Sequence, residues 1–108
     1  MEIIKFFNAP EFSQRVALDR KTCQLVIRYN DFSSCWEMDI HTAQTEPIIT
    51  GICLLQGVLL LNQHIDSRLP AGDFFVHGKD KPNYENFVKG SVELIYITQA
   101  ELERLNES

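Results

Sequence analysis

The sequence predicts a single β-rich domain over residues 1–108, either a small antiparallel barrel or a sandwich, with a short helix at its C-terminal end. Two observations support this all-β, mainly antiparallel class. Between Phe12 and Leu55, apolar and polar residues alternate in successive runs, which is typical of half-buried antiparallel strands. Polar turn residues separate these runs, and an order of strand after strand favours a barrel or a sandwich.

The first two long strands are predicted to form a hairpin, after a possible short leading strand over residues 2–7. Apolar residues mark their inward faces: Phe12, Val16 and Leu18 on the first, and Cys23, Leu25, Ile27 and Tyr29 on the second. The polar segment 19–21 between them predicts a three-residue loop.

A polar turn over residues 30–34 precedes the third strand, which places Trp36, Met38 and Ile40 inward. Its outward face carries four polar residues: Cys35, Glu37, Asp39 and His41.

The fourth strand opens at Pro47 and differs from the others because both of its faces are apolar. One face would carry Ile48, Ile52 and Leu54, and the other Ile49, Cys53 and Leu55. Such a strand should be covered on both sides. Gly51 inside it predicts a bulge or a close backbone approach.

The second half of the chain is less regular. Residues 57–61 fit one helical turn or a further strand equally well, and residues 73–77 predict a short strand. The polar segment 78–90 is predicted as a surface loop held to the body by Tyr84 and Phe87. After a last strand over 92–97, Thr98 and Glu101 have the spacing of a helix capping box.

Charge and composition exclude several classes of function. The net charge is −5 and the basic residues are scattered, which argues against a nucleic-acid partner. The three cysteines contain no CxxC pair and are predicted as small buried thiols of a reducing compartment rather than a disulfide. The longest apolar stretch, 48–61, is too short for a membrane helix, and no signal peptide is apparent, so synthesis in a cytoplasm without a membrane span is expected.

Two clusters contain residue types that could carry chemistry. His64, Asp66 and Ser67 are the types of a hydrolase triad, but they lie too close in sequence to form the relay. The polar outward face of the third strand contains metal-ligand types, yet residues two apart on a strand are separated by about 6.6 Å, so a shared metal is disfavoured. We therefore predict no enzyme, no cofactor and no metal, and interpret that face as solvated or as a polar subunit contact.

An ordered series of short motifs supports a family resemblance. The motifs are Asn8-x-Pro10-x-Phe12, Leu18-Asp19, Tyr29-Asn30, Trp36-x-x-Asp39-Ile40, Pro47-Ile48-x-x-Gly51-Ile52, Gly57-x-x-Leu60-Leu61, Gly72 and Leu94-x-Tyr96. In order, spacing and length, the chain resembles the small baseplate plug proteins of contractile-tailed phages and prophages.

This resemblance implies a non-enzymatic structural component of the virion tail baseplate, made in the host cytoplasm and seated near the central hub. It implies association with copies of itself, with a trimer as the first expectation, or with hub and spike proteins. The resemblance offers no catalytic residues.

Two segments, 48–61 and 78–90, are predicted as interaction surfaces. The residues proposed to make contacts are Ile49, Cys53, Leu55, Leu59, Tyr84 and Phe87. Two alternatives stay open: a small barrel that binds an apolar ligand against Phe12, Tyr29, Trp36 and Met38, and a host-side adaptor without phage ancestry.

Overall fold

The computed structural model describes residues 2–61 and 66–107. In chain order, the elements are β1 (Glu2–Ile4), β2 (Glu11–Leu18), β3 (Lys21–Asn30), β4 (Cys35–Thr42), β5 (Pro47–Cys53), β6 (Asp73–His77), α1 (Tyr84–Lys89), β7 (Glu93–Ile97) and α2 (Gln99–Glu107). All strand pairings between these elements are antiparallel. The mostly-β prediction is therefore confirmed.

The strands form two sheets. A four-stranded sheet has the order β2-β3-β4-β5, and a three-stranded sheet has the order β1-β7-β6. The described residues do not close into a barrel, so of the two predicted architectures the sandwich is the one that fits. The four strands predicted between Phe12 and Leu55 are neighbours in space as they are in sequence, which makes the first sheet a simple meander.

The core lies between the two sheets and is built from their inward faces. Its most deeply buried side chains are Leu25, Ile27, Trp36, Met38 and Ile40 of the first sheet, and Phe74, Val76, Leu94 and Tyr96 of the second. The inward faces predicted for β3 and β4 are thus confirmed. Full burial of an aliphatic or aromatic side chain is worth roughly 1.5–3 kcal/mol, so this cluster is the main stabilising feature of the fold.

The β2–β3 connection is shorter than predicted. Leu18 pairs with Lys21, which leaves a two-residue loop in which Asp19 and Arg20 have φ angles of 48° and 68°. Two positive φ values are the mark of the hairpin turn that matches strand twist, although glycine or asparagine usually occupies it. The prediction of a three-residue loop is wrong, because Lys21 is the first residue of β3 and not part of the loop.

Strand β5 does not keep the strict alternation that was predicted for it. Its register with β4 shifts twice, between Met38 and Ile40 and again between Ile40 and His41. Gly51, with φ of 73°, lies at the first shift, so the predicted bulge is present. The extra residues place Ile49 opposite the inward-facing Ile40, and Ile49 packs against the core. Ile49, which the sequence proposes as a contact residue, is therefore half-buried against the core, and so is Ile48 from the other predicted face.

Residues 57–61 form neither a helical turn nor a regular strand. They follow the edge of β6 through isolated bridges, Gln56 with Val76 and Leu59 with Phe75. This segment covers the outer edge of the three-stranded sheet.

The 78–90 segment is not a simple loop, because it contains α1. The Asn83 side chain accepts a hydrogen bond from the Asn86 N–H and begins the helix, and Gly90, with φ of 89°, ends it. The predicted capping box of α2 is present, since the Glu101 N–H donates to Thr98 Oγ1 and the Thr98 N–H donates to Glu101 Oε1. Neither described helix is long and apolar enough to span a membrane.

Candidate interaction surface

The most exposed apolar run of the described chain lies just after β5. Leu55, Val58 and Leu59 are 55%, 47% and 38% exposed, whereas Leu54 and Leu61 on either side are buried. We call Leu55, Val58 and Leu59 the apolar ridge. Single exposed apolar side chains are common on proteins, but three within five residues on one fixed segment are typical of a contact surface.

The backbone of the ridge is held at both ends. The Leu54 N–H donates to the Trp36 carbonyl at 2.9 Å, and the Leu60 N–H donates to the Phe74 carbonyl at 3.0 Å. The Leu61 N–H donates to the buried Asp73 carboxylate at 2.7 Å. The anchors therefore belong to both sheets, and they fix the backbone before and after the ridge.

The side chain of Gln56 joins the ridge to the segment that leads into α1. Its Nε2 donates to the Gly78 carbonyl and to the Asp80 carbonyl, the latter at 2.9 Å. The two segments predicted as interaction surfaces, 48–61 and 78–90, are thus neighbours in space. The sequence pattern does not reveal this contact, because in sequence Gln56 is only a polar residue that interrupts an apolar run.

Tyr84 and Phe87 fix α1 to the body, as predicted, but they do so in different ways. Tyr84 is half-buried, stacks on Trp36 at a ring-centroid distance of 5.0 Å, and donates its hydroxyl to Asn8. Phe87 is only 3% exposed and stacks on Phe6 at 4.5 Å. In this structure, Phe87 is a core residue whose ring offers no exposed surface to a partner.

Cys53 lies next to the ridge and is half-buried, as is Cys35 on the neighbouring strand. Burial and a hydrogen bond with Cys35 raise the pKa of Cys53 to about 12. The thiol therefore stays protonated at neutral pH, which disfavours nucleophilic or metal-binding chemistry. All three cysteines are free, in agreement with the sequence prediction.

The polar outward face of β4 is less solvated than predicted. Asp39 is 9% exposed, and its carboxylate accepts from Arg28 Nη1 at 2.6 Å and from the Gly51 N–H at 2.7 Å. Burial raises the pKa of Asp39, but the hydrogen bonds from Arg28 and Gly51 outweigh it and hold that pKa below its usual value. Asp39 is thus a structural residue that stabilises the β5 bulge.

The hydrolase-type cluster predicted at residues 64–67 is described only in part. Asp66 forms an ion pair with Arg68 at 2.8 Å, while His64 lies outside the described residues. Within residues 2–61 and 66–107, no three His, Cys, Asp or Glu side chains come close enough together to hold a metal ion.

The ligand-binding alternative required a cavity inside a barrel. A cleft of about 470 Å³ lies at the surface between the 66–73 loop and Leu102 of α2. Phe12 and Tyr29, which are candidates to line a ligand cavity, both pack against Trp36, at ring-centroid distances of 5.9 and 5.4 Å.

Comparison with known families now adds to this geometry. A family model described as cyanophage baseplate Pam3 plug gp18 matches residues 1–99. The chain belongs to this family. The matched range includes every described strand and α1, so the resemblance seen in the sequence motifs is confirmed over the whole β architecture. A search of curated proteins finds no match.

Membership of a baseplate plug family gives the chain a structural role in the phage tail baseplate. Such a role is non-enzymatic. Membership of this family also indicates that the chain interacts with other baseplate components.

Proposed function

We propose that this plug-family member is a structural subunit seated near the central hub of the tail baseplate, and that it contacts neighbouring hub or spike proteins through the apolar ridge. The protein is made in the host cytoplasm and enters the virion during tail assembly. It also associates with copies of itself, for which the sequence expectation is a trimer.

The observation that carries this proposal is the match of the family model to residues 1–99, taken together with the ridge. A rigid surface loses little conformational entropy on binding, because its side chains and backbone are already ordered. The ridge meets this condition, since its backbone is bonded to Trp36 at one end and to Phe74 at the other.

The residues proposed as contacts from sequence have different roles in this arrangement. Leu55 and Leu59 belong to the ridge, Cys53 is half-buried at the end of β5, and Tyr84 is half-buried on α1. Val58 joins this set because of its exposure. Ile49 and Phe87 pack against the core.

The experiment compares phage tails assembled with the wild-type chain and with a Leu55→Ser/Val58→Ser double variant. We expect the double variant to fold normally but to be depleted from purified tails, as measured by quantitative mass spectrometry of tail proteins. Ile3→Ser is the matched control, because Ile3 is 62% exposed on β1, at the opposite edge of the three-stranded sheet from the ridge.

Equal incorporation of the wild type and the double variant would overturn the role of the ridge. Absence of the wild-type chain from purified tails would overturn the baseplate role itself. Crosslinking within intact tails then identifies the neighbour, with a hub or spike protein as the expected product.

A further inference from the structure

Among the described residues, the longest regular strand edge without a covering segment belongs to β2. This strand is terminal in its sheet, has eight residues, and pairs with β3 at every position without a register shift. The other edges are protected: β5 is bulged and opens with Pro47, β6 is covered by residues 56–60, and β1 has only three residues. Bulges, proline, short strands and covering segments are the usual ways in which proteins block edge pairing.

The hydrogen-bond pattern shows which backbone groups of β2 face outward. The Tyr29 N–H donates to the Pro10 carbonyl at 2.8 Å, and Leu18 pairs with Lys21 across a two-residue loop. Even-numbered residues of β2 therefore bond to β3, and the N–H and C=O groups of the odd-numbered residues point away from it. These residues are Glu11, Ser13, Arg15 and Ala17, and their side chains are exposed. In the described part of the chain, no backbone or side-chain hydrogen bond reaches these outward groups.

The charges on this edge are complementary to those on the same edge of a second, antiparallel copy. If two copies of β2 lie antiparallel about a two-fold axis at Ser13, Glu11 of each copy lies directly opposite Arg15 of the other. Registers centred on Glu11 or on Arg15 would instead place like charges opposite one another, which is unfavourable. The Ser13 register is therefore selected by charge.

The position of Arg15 within its own sheet supports the same register. Its partner across the β2–β3 ladder is the neutral Gln24, and Arg15 makes no ion pair among the described residues. Glu11 lies opposite Arg28, which already pairs with Asp39 and Glu37. A second copy would give Arg15 an opposite charge that the described residues of its own chain do not provide.

We propose that β2 pairs with β2 of a second copy of this chain about a two-fold axis at Ser13, which joins two four-stranded sheets into one continuous eight-stranded sheet. This inference rests on the self-association in the proposed function, names its surface, and replaces the trimer expected from the sequence with a dimer. Because β2 and β5 are opposite edges of the sheet, the pairing leaves the ridge that follows β5 free for other baseplate proteins. The contact is isologous, so it closes at two copies rather than three.

The test measures the mass of the purified full-length chain by native mass spectrometry and by light scattering after size exclusion. We expect a dimer for the wild type and at least a tenfold weaker dimer for Arg15→Glu and for Glu11→Arg. The Glu11→Arg/Arg15→Glu double variant should recover the dimer, because each opposed pair is then present with its signs exchanged. Lys79→Glu, which makes the same change in charge on an exposed segment, should leave the mass unchanged.

A monomeric or trimeric wild type would overturn the pairing, and so would single variants that dimerise like the wild type. A double variant that stays monomeric while it folds normally by circular dichroism would overturn the Ser13 register. These outcomes are separate from failure of the proposed function. If the wild type is monomeric but the ridge variants are depleted from tails, the pairing is wrong and the baseplate role stands.

Discussion

The hydroxyl of Tyr96 donates a hydrogen bond of 2.5 Å to the carboxylate of Asp19, and this contact connects the two sheets. Tyr96 lies on β7, while Asp19 is in the β2–β3 turn. The same carboxylate accepts from the Gln99 N–H at 3.0 Å, and the Tyr96 hydroxyl accepts from the Gly72 N–H at 2.7 Å. One hydrogen-bond network, buried at Tyr96 and Gly72, therefore joins the hairpin, the last strand and the start of α2.

Removal of this hydroxyl should destabilise the whole domain. We expect Tyr96→Phe to lower the free energy of unfolding by about 1–3 kcal/mol, because the buried Gly72 N–H then loses its acceptor. Urea denaturation followed by circular dichroism measures the change. Tyr29→Phe, which removes a hydroxyl with no hydrogen bond among the described residues, should have a much smaller effect. Two separate unfolding transitions in the wild type would contradict the single-domain prediction.

The same tyrosine should make the protein sensitive to alkaline pH. Burial and the hydrogen bond to Asp19 raise the pKa of Tyr96 above its ordinary value of 10.0. The unfolded chain therefore loses this proton at lower pH than the folded chain does, so the stabilisation is complete below about pH 10 and decreases above it. Denaturant titrations at increasing pH should show a steeper loss in the wild type than in Tyr96→Phe. Parallel pH profiles for the two proteins would refute this assignment.

Gly72 should be intolerant of any side chain. A Cβ atom at this position would lie 2.6 Å from the Tyr96 hydroxyl and would also collide with the Ile97 carbonyl. We expect Gly72→Ala to cost about 3 kcal/mol, since neither the backbone nor the buried ring can move away cheaply. Gly90→Ala is a useful comparison, because its Cβ would meet open space and the cost, about 1–2 kcal/mol, would come from its positive φ alone. Equal thermal shifts for the two variants would contradict the steric argument.

Asp39 should stabilise the fold through the β5 bulge. Asp39→Ala should cost about 1–3 kcal/mol, because the Gly51 N–H and Arg28 both lose their acceptor. Asp39→Asn should cost less, since an amide oxygen can still accept from Gly51. The lowered pKa of Asp39 means that its contribution is present above pH 3.8 and is lost as the pH falls through its folded value. Acid unfolding of the wild type and the two variants tests this order. If the acid unfolding profile of Asp39→Asn matches that of the wild type, the ionised Asp39 carboxylate does not contribute to stability.

Ile49 should behave as a core residue and not as a surface probe. Its position opposite Ile40 predicts that Ile49→Lys lowers the free energy of unfolding by about 1–3 kcal/mol, because the ammonium group must leave the core face. Thr50→Lys, at the exposed neighbouring position, should change stability by about 0.5 kcal/mol or less. Thermal unfolding of both variants measures the difference. If Thr50→Lys is the more damaging substitution, the register of β5 is wrong.

The regular part of this fold could be predicted from sequence because it depends on local periodicity. The inward faces of β3 and β4 follow from strict alternation, and the α2 cap follows from the spacing of Thr98 and Glu101. Strand β5 could be predicted as a strand but not in its register. Its bulges depend on a bond between Gly51 and the distant Asp39, and periodicity carries no information about such a contact.

The interaction surface could be predicted only in part, for a similar reason. Apolar character identified the segment that contains Leu55 and Leu59, but it could not show that Phe87 is covered by Phe6 from the other end of the chain. The helix α1 was missed because it is short and polar, although Asn83 and Gly90 are its start and stop signals. Whether an apolar side chain is exposed or buried depends on contacts between distant segments, which the sequence pattern does not show.

The attachment of the ridge to both sheets has a mechanical consequence. A force on Leu55 or Leu59 would pass through the Leu54 backbone to β4 and through the Leu60 backbone to β6, while Gln56 carries part of it towards α1. Several hydrogen bonds would share such a load at the same time. The load would therefore not break the hydrogen bonds of one strand pair one after another from its end. A subunit held by its neighbours at this surface should therefore resist being pulled apart under mechanical load.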